Sequence, residues 1–357
     1  MPVILHVVSS LKLGGAERFT LELAQLQRNK GYDASLLSLG GNDDFLISAA
    51  HNLSIPLVVS NSSQGRIRRY RDVAKLLYRS DVVHFHNTFG LRFMIPLLLL
   101  FPRKKYIYTR HGIYRFNTFR WKLFHQFIRL FINYVTFVTE TGMEVFKLDH
   151  RWNPERLKVI ENGVYIPQQQ QRTLHTPMRF GSVGRMVALK GQKYLLDSVA
   201  KIQSHSGGQN TFEGFEIHFF GSGPLEKALK LHANRINDKT KIEFHGVELD
   251  REKIYQEIDA LIVSSSSEGM SLVIMEAMAR GIPIIATDVG GNTTLVTDCV
   301  SGIIIDYGDE EAMAGAILQF VHNPELVIEY GSAAQSIISE KYSLTRTLDF
   351  YADLYGV

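Results

Sequence analysis

Short apolar runs alternate with stretches of helical period along almost the whole chain. Residues 3–8, 34–39 and 57–59 read as strands, and residues 15–30 and 71–78 as helices. Runs at 82–85, 106–109 and 135–139 are again short and strand-like. The pattern stops at Asn162-Gly163-Val164, a turn signal, and at Pro167 with the four glutamines Gln168 to Gln171, a polar tract that reads as a linker. It then restarts. Strands are expected at 179–183, 216–220, 242–245, 260–263, 284–286 and 302–305, with helices at 192–203, 225–236, 251–258, 272–280 and 310–321. Strands separated by helices imply βαβ units and parallel sheets covered on both faces. The expectation is an α/β protein of two successive doubly wound, Rossmann-like domains, residues 1–166 and 172–342. Ligands of such sheets sit at the carboxyl ends of the strands, and two facing domains place the site in a central cleft.

Composition narrows the class. A length of 357 residues fits two domains, and 45% hydrophobic against 21% charged residues excludes a disordered chain. The single cysteine, Cys299, excludes an internal disulfide and suits a reducing compartment. The longest apolar run, residues 93–101, is broken by Pro96 and too short to span a bilayer. Met1 leads at once into a strand-like run, so no signal peptide is expected. The net charge of +3 hides an asymmetry: residues 1–170 hold 23 Lys and Arg against 12 Asp and Glu, residues 171–357 hold 16 against 24. A basic half suits nucleic acid, a membrane surface or a phosphorylated ligand. No nucleic-acid reading motif is present, so nucleic acid is not an expected partner.

Three motifs could carry chemistry. The first is Glu268-Gly-Met-Ser-Leu-Val-Ile-Met-Glu276, where a strand ends in serines and a helix begins near Ser271. Free N–H groups and the dipole at that helix start favour an anion, and the two carboxylates suit hydroxyl groups on either side of it. The same spacing also fits a capping Glu268 and a solvated Glu276. The second is Gly184-Arg185 with Lys190-Gly191: two cations at a strand's carboxyl end suit a diphosphate, although an exposed charged loop would look the same. The third is Leu13-Gly14-Gly15-Ala16-Glu17, where paired glycines let backbone approach a ligand or simply make a tight turn. It is not Gly-x-Gly-x-x-Gly, so a nicotinamide or flavin cofactor is disfavoured. His111, in Arg110-His111-Gly112 after a strand, should reach the site. His84 and His86 share one strand face. A metal pair there is conceivable, but no third histidine or cysteine lies at ligand spacing, and buried hydrogen-bonding roles are expected instead.

Taken in order, Gly14-Gly15-Ala16-Glu17, Arg110-His111-Gly112, Asn162-Gly163-Val164, Gly184-Arg185 with Lys190-Gly191, Gly221-Ser-Gly223-Pro224, Phe244-His-Gly246 and Glu268 with Glu276 resemble the GT4 family of retaining glycosyltransferases, which have the GT-B fold. The resemblance implies a nucleotide-sugar donor, such as a UDP- or GDP-sugar, bound mainly by the C-terminal domain. It implies a glycan or lipid-linked acceptor bound by the N-terminal one, in bacterial cell-surface polysaccharide or lipopolysaccharide synthesis. By position, Arg185 and Lys190 would hold the diphosphate, Glu276 the donor ribose and Glu268 sugar hydroxyls. The N–H groups of Gly269, Met270, Ser271 and Leu272 would hold sugar and phosphate, and the backbone of Val247 would meet the base. Gly15 would let the first loop approach the phosphates, and His111 would lie near the sugar's reacting face. No cofactor and no metal are implied, because cations and helix dipole neutralise the leaving group. The closing stretch, about 343–357, is expected to cross back onto the N-terminal domain. Thr139-Glu140-Thr141 departs from the family's Ser-based motif. The alternatives are a GT-B nucleotide-sugar epimerase or a non-catalytic nucleotide-sugar-binding protein.

The charge asymmetry adds an expectation of its own. Arg66, Arg68, Arg69 and Arg71 cluster, as do Arg103, Lys104 and Lys105. On a helix expected over 114–134, Arg115, Lys122 and Arg129 share a face, with Trp121, Phe124, Phe127, Ile128 and Phe131 mostly on the others. That arrangement suits an anionic membrane surface, giving a cytoplasmic protein, peripheral on the inner face of the inner membrane. It equally suits a packed core beside a solvated basic stripe.

Overall fold

The apolar strands need cover on both faces, and parallel pairing through crossover helices supplies it. The computed structural model describes residues 1–356 except 13, 62, 64, 114, 116, 169–171, 206–213 and 237–239. Leu13, Tyr114 and three of the four glutamines read as a linker therefore lie outside the described residues. The chain forms two units, one of Met1–Val164 with Ser343–Val357 and one of Tyr165–Tyr342.

The first unit holds β1 (Val3–Val8), β2 (Asp33–Ser38), β3 (Leu57–Val59), β4 (Val82–Phe85), β5 (Lys105–Arg110), β6 (Tyr134–Phe137) and β7 (Leu157–Val159). They form one parallel sheet in the order β3-β2-β1-β4-β5-β6-β7. Leu5, Val7, Val83, Phe85, Tyr106 and Tyr108 anchor its core. The last helix, Leu344–Tyr355, packs on this unit and buries Leu344, Leu348, Tyr351 and Tyr355. Its tyrosines end in polar contacts with the sheet: Tyr351 Oη meets Thr109 Oγ1 at 3.1 Å, and Tyr355 Oη meets His84 Nδ1 at 2.9 Å.

The second unit holds β8 (Met178–Val183), β9 (Phe215–Phe220), β10 (Lys241–Gly246), β11 (Ala260–Val263), β12 (Ile284–Thr287) and β13 (Gly302–Ile305), in the order β10-β9-β8-β11-β12-β13. Phe180, Ile217, Phe219, Ile262 and Ile285 form the centre of its core. In both units the strand order reverses beside the first strand, between β1 and β4 and between β8 and β11. Loops leaving the carboxyl ends of such a pair diverge and leave room for a ligand.

The sequence pattern misses three of the longer helices and overextends a fourth, each for a local reason. The apolar run 93–101 is the second part of a helix, Thr88–Leu100, that carries Pro96 internally and is capped by Asn87 Oδ1 accepting from Gly90 N at 2.8 Å. Thr139 caps a helix over Glu140–Asp149, its Oγ1 accepting from Gly142 N at 3.1 Å. Glu140 is exposed in that first turn, where a carboxylate favours the helix dipole. Pro324 opens a helix to Lys341 from its first position, the one place where a missing N–H costs nothing. The helix expected over 114–134 runs only Phe119–Ile128. Arg115 and Arg129 lie outside it and form no helical stripe with Lys122.

Candidate active site

In the second unit, β8 delivers Arg185 and Lys190, and β11 delivers Ser264 to Leu272. These two loops are stitched together by backbone: Ser266 N donates to Leu189 O at 2.9 Å, and Ser264 Oγ donates to Lys190 O at 3.0 Å. Gly191 makes the approach possible. Its φ is +64°, and a Cβ there would overlap the Ser264 carbonyl oxygen. Gly290, at φ +55°, does the same against the Glu268 carbonyl, and Gly291 N donates to Gly269 O at 3.0 Å. The Gly290-Gly291 turn thus packs directly against the Glu268-Gly269 backbone.

Side chains then meet in the space this leaves. Lys190 Nζ lies 2.6 Å from Glu268 Oε1, and Ser265 Oγ donates to the same oxygen at 2.6 Å. Ser182, Lys190, Gln192, Ser265, Glu268 and Ser271 line one small pocket. Glu268 therefore does not cap the helix Leu272–Met278; Ser271 stands at the N-cap position. Arg185 is exposed, and its carbonyl accepts from Gln192 Nε2 at 3.1 Å. Gly269 and Met270 continue the loop into Ser271 and Leu272, with Met270 buried.

Glu276 is not the solvated residue that helical spacing allowed. It is 5% exposed, accepts from Tyr255 Oη at 2.8 Å and pairs with Arg251 Nε at 3.2 Å. The carboxylate in turn joins burial in holding the Tyr255 phenol well above its ordinary pKa. Val247 follows Gly246 (φ +70°), whose carbonyl accepts from Gly221 N at 2.6 Å. That bond ties the ends of β9 and β10.

In the first unit, Gly15 is the first residue of the helix Gly15–Asn29, with Gly14 at its N-cap. His111 follows β5 and heads a chain of imidazoles. Its Nε2 is 3.2 Å from His86 Nδ1, His86 Nε2 is 2.9 Å from His6 Nδ1, and His6 Nε2 is 2.7 Å from Gln27 Oε1. The tautomers follow from the orientation assigned to the Gln27 amide. Gln27 Nε2 donates to Tyr355 Oη at 3.3 Å, so its Oε1 faces His6 as an acceptor. His6 must then donate from Nε2 and accept at Nδ1, His86 repeats that pattern, and His111 donates from Nε2. The lone pair of the series emerges at His111 Nδ1, a buried atom without a hydrogen-bond partner. Desolvation lowers the pKa of His6 and of His111 to about 4 and those of His84 and His86 well below the ordinary value. The whole chain is neutral at pH 7.

A third histidine beside His84 and His86 does exist. It is His6 from the neighbouring strand, in direct register with His84. Sequence spacing could not show it, because the contact crosses a parallel ladder. Its nitrogens are committed, as are those of His84, which meet Tyr355 Oη at 2.9 Å and Thr109 Oγ1 at 2.6 Å. The expected buried hydrogen-bonding role is the one observed.

Residues 167–337 match the model for glycosyl transferases group 1, and residues 13–166 match glycosyltransferase family 4. The chain belongs to the GT4 family of glycosyltransferases. It is 24% identical over 379 residues to the Escherichia coli UDP-Gal:alpha-D-GlcNAc-diphosphoundecaprenol alpha-1,3-galactosyltransferase, covering 99% of this chain and 96% of that one. It is 26% identical over 228 residues to the Staphylococcus aureus poly(ribitol-phosphate) alpha-N-acetylglucosaminyltransferase, covering 63% of this chain and 44% of that one. Its fold is shared with Anabaena HepE, crystallised with UDP and glucose: TM-score 0.82, 20% identity, 99% of both chains covered. That architecture is the GT-B fold.

The neutral histidines of this glycosyltransferase make its first unit acid-sensitive. A histidine whose folded pKa is depressed takes up a proton on unfolding, so its contribution is complete above the unfolded pKa of about 6.5 and is lost as pH falls towards the folded value near 4, at about 1.4 kcal/mol per pH unit per group. His6 and His111 add to His125, lowered to about 3, and His150, lowered to about 4, all four by burial first. Both tryptophans, Trp121 and Trp152, lie in this unit. The thermal midpoint followed by tryptophan fluorescence should fall steadily from pH 6.5 to pH 4.5. A flat midpoint across that window would contradict the assignment.

Proposed function

We propose that this glycosyltransferase moves a sugar from a UDP- or GDP-sugar to a glycan or lipid-linked acceptor, keeps the anomeric configuration, and needs no metal ion. The observation that carries this is the Lys190–Glu268 contact at the reversal of strand order, with Arg185 exposed on the same loop as Lys190. An ammonium has three donors. One reaches Glu268, and the others remain for phosphate oxygens. Glu268, fixed by Lys190 and Ser265, keeps Oε2 for sugar hydroxyls. In the reaction the C1–O bond to phosphate breaks and its electron pair stays on the diphosphate. The acceptor oxygen bonds to C1 on the same face, and its proton passes to the departing phosphate oxygen. Lys190, Arg185 and the N–H groups around Met270–Leu272 take up the charge that develops. Glu276 binds ribose through a carboxylate already oriented by Tyr255 and Arg251. The Nδ1 lone pair of His111 accepts a hydrogen bond from a sugar hydroxyl. The E. coli relative, whose name gives a diphosphoundecaprenol acceptor, supports the lipid-linked class.

Proton NMR of the product from a panel of nucleotide sugars tests this reading. The linkage formed should keep the donor's anomeric configuration, and turnover should survive excess EDTA. Glu268→Gln should spare nucleoside diphosphate affinity and cut turnover by roughly ten- to a hundredfold, the loss of one charge-assisted contact. Inversion, full loss in EDTA restored by a divalent ion, or conversion of donor without release of nucleoside diphosphate would each contradict it.

The same proposal places the first unit on an anionic membrane surface. No helix among the described residues is long and apolar enough to cross a membrane, so contact would be peripheral, on the inner face of the inner membrane. Phe124, Phe127 and Phe131 pack against the core and Ile128 lies within it, so these aromatics do not face lipid. The exposed apolar residues are others: Phe119, Leu123 and Leu130, 80%, 56% and 73% exposed, interleaved with exposed Arg120, Lys122 and Arg129. Ile67, 88% exposed, stands between exposed Arg66 and Arg68. Arg69 is occupied: its Nη2 donates to Ser60 O at 2.7 Å and its guanidinium lies 4.7 Å over Phe93. Each cation near such a surface adds about 1 kcal/mol. The protein should pellet with anionic vesicles at low salt and release at high salt. Reversing Arg66, Arg68 and Arg120 to Glu should abolish pelleting without changing nucleotide affinity. Equal pelleting with neutral vesicles would refute the electrostatic account.

A further inference from the structure

At the edge of the second unit's sheet, β9 and β10 bring together a second group of histidines, one of which, His245, is the middle residue of the Phe244-His-Gly246 motif. His218 on β9 stands opposite Glu243 on β10 in the parallel ladder. His245, two residues on, lies where the ladder shifts register between Phe244 and Gly246, and its ring reaches the same side as Glu243. His218 Nδ1 lies 2.9 Å from His245 Nε2 and 3.9 Å from Glu243 Oε2, and His245 Nε2 lies 3.7 Å from Glu243 Oε2. Three atoms so separated share a point about 2.1 Å from each, the length of a zinc bond to imidazole nitrogen or carboxylate oxygen. From these contacts we propose that His218 Nδ1, His245 Nε2 and Glu243 Oε2 bind one first-row divalent ion, with zinc as the favoured species.

The surroundings are those of a ligand set. His218 Nε2 donates to Glu216 Oε2 at 2.9 Å, which leaves the lone pair on Nδ1, the ligand atom. A carboxylate on the far nitrogen is the usual partner of a metal-binding histidine. Glu216 is itself held by Arg179 Nε at 3.1 Å. Lys241 Nζ takes Glu243 Oε1 at 2.7 Å, so Oε2 is the oxygen left to turn inward. The His245 ring stacks on Phe220, centroids 4.4 Å apart and planes within 8°. Without metal, His245 bridges to His218 through its Nε2 proton; on binding, that proton sits on Nδ1 instead, so the imidazole stays neutral. The His245 and Glu243 side chains are 30% and 36% exposed, giving the ion an entry path and a fourth position open to water. Two nitrogens and one oxygen suit zinc among the available divalent ions. The ion would fasten the edge strand β10 to β9 just below Gly246 and Val247. It lies outside the proposed transfer chemistry, and its loss leaves turnover at room temperature intact.

The test is calorimetric titration of zinc chloride into chelator-treated, dialysed protein, with cobalt(II) absorption as a second readout. The proposal expects one equivalent of zinc bound in the micromolar range or tighter, a rise in thermal midpoint, and visible cobalt bands of low-symmetry nitrogen–oxygen ligation. His245→Ala and Glu243→Gln, both at partly exposed edge positions, should each weaken zinc at least tenfold and remove the cobalt bands, with circular dichroism unchanged. No saturable binding to the wild type, or one equivalent retained unchanged in the double variant, would overturn the site. Donor turnover measured on the same samples separates this outcome from any failure of the proposed transferase chemistry.

Discussion

Between β8 and β11 the strand order of the second unit reverses, and two loops that should diverge are instead locked together. The lock is a backbone contact: Gly191 against the Ser264 carbonyl, with Ser266 N bonded to Leu189 O. No side chain could occupy position 191 without forcing the loops apart. Because they cannot part, Lys190 and Glu268 are brought to 2.6 Å, and the Gly290-Gly291 turn packs directly against the Glu268-Gly269 backbone. The charge arrangement proposed for catalysis is therefore a consequence of glycine placement, and side-chain chemistry is added to a frame that already exists.

The first unit solves a different problem. It carries polar and titratable groups in the interior of its sheet and satisfies them in series. Gln27 and Tyr355, from the first and last helices, begin a chain that runs through His6 and His86 to His111 and a branch that ends on His84 and Thr109. Burial keeps every imidazole neutral. An unpaired ring nitrogen then appears only at the end of the series, at His111 Nδ1. The closing helix is part of this network, which explains why residues 343–357 belong to the first unit although they follow the second.

Apart from β7 (Leu157–Val159), which was not expected, the strand positions, the alternation of the two halves and the motif order were legible in the sequence because period and turn chemistry are local. The helices at Thr88–Leu100, Glu140–Asp149 and Pro324–Lys341 were not, since their signals are a single capping residue or a proline that usually breaks a helix. The imidazole chain and the His218–Glu243–His245 group were invisible for another reason: parallel ladders unite residues tens of positions apart without any spacing rule. Burial of Glu276 was likewise hidden, because only Tyr255 and Arg251 reveal which side of its helix faces inward. The basic excess of the first half was real in sequence but partly spent in structure, on Asp149 by Arg115 and on backbone carbonyls by Arg69 and Lys104.

The central claim is that Lys190 serves the diphosphate while neutralising Glu268. Calorimetric titration of UDP and GDP into the wild type, Lys190→Ala and Lys190→Ala/Glu268→Gln measures it directly. The account predicts that Lys190→Ala weakens the favoured nucleotide by roughly ten- to a hundredfold, and that adding Glu268→Gln restores part of the loss, because a carboxylate without its ammonium no longer repels phosphate. Equal affinity in all three proteins, or a double variant weaker than Lys190→Ala alone, would contradict it.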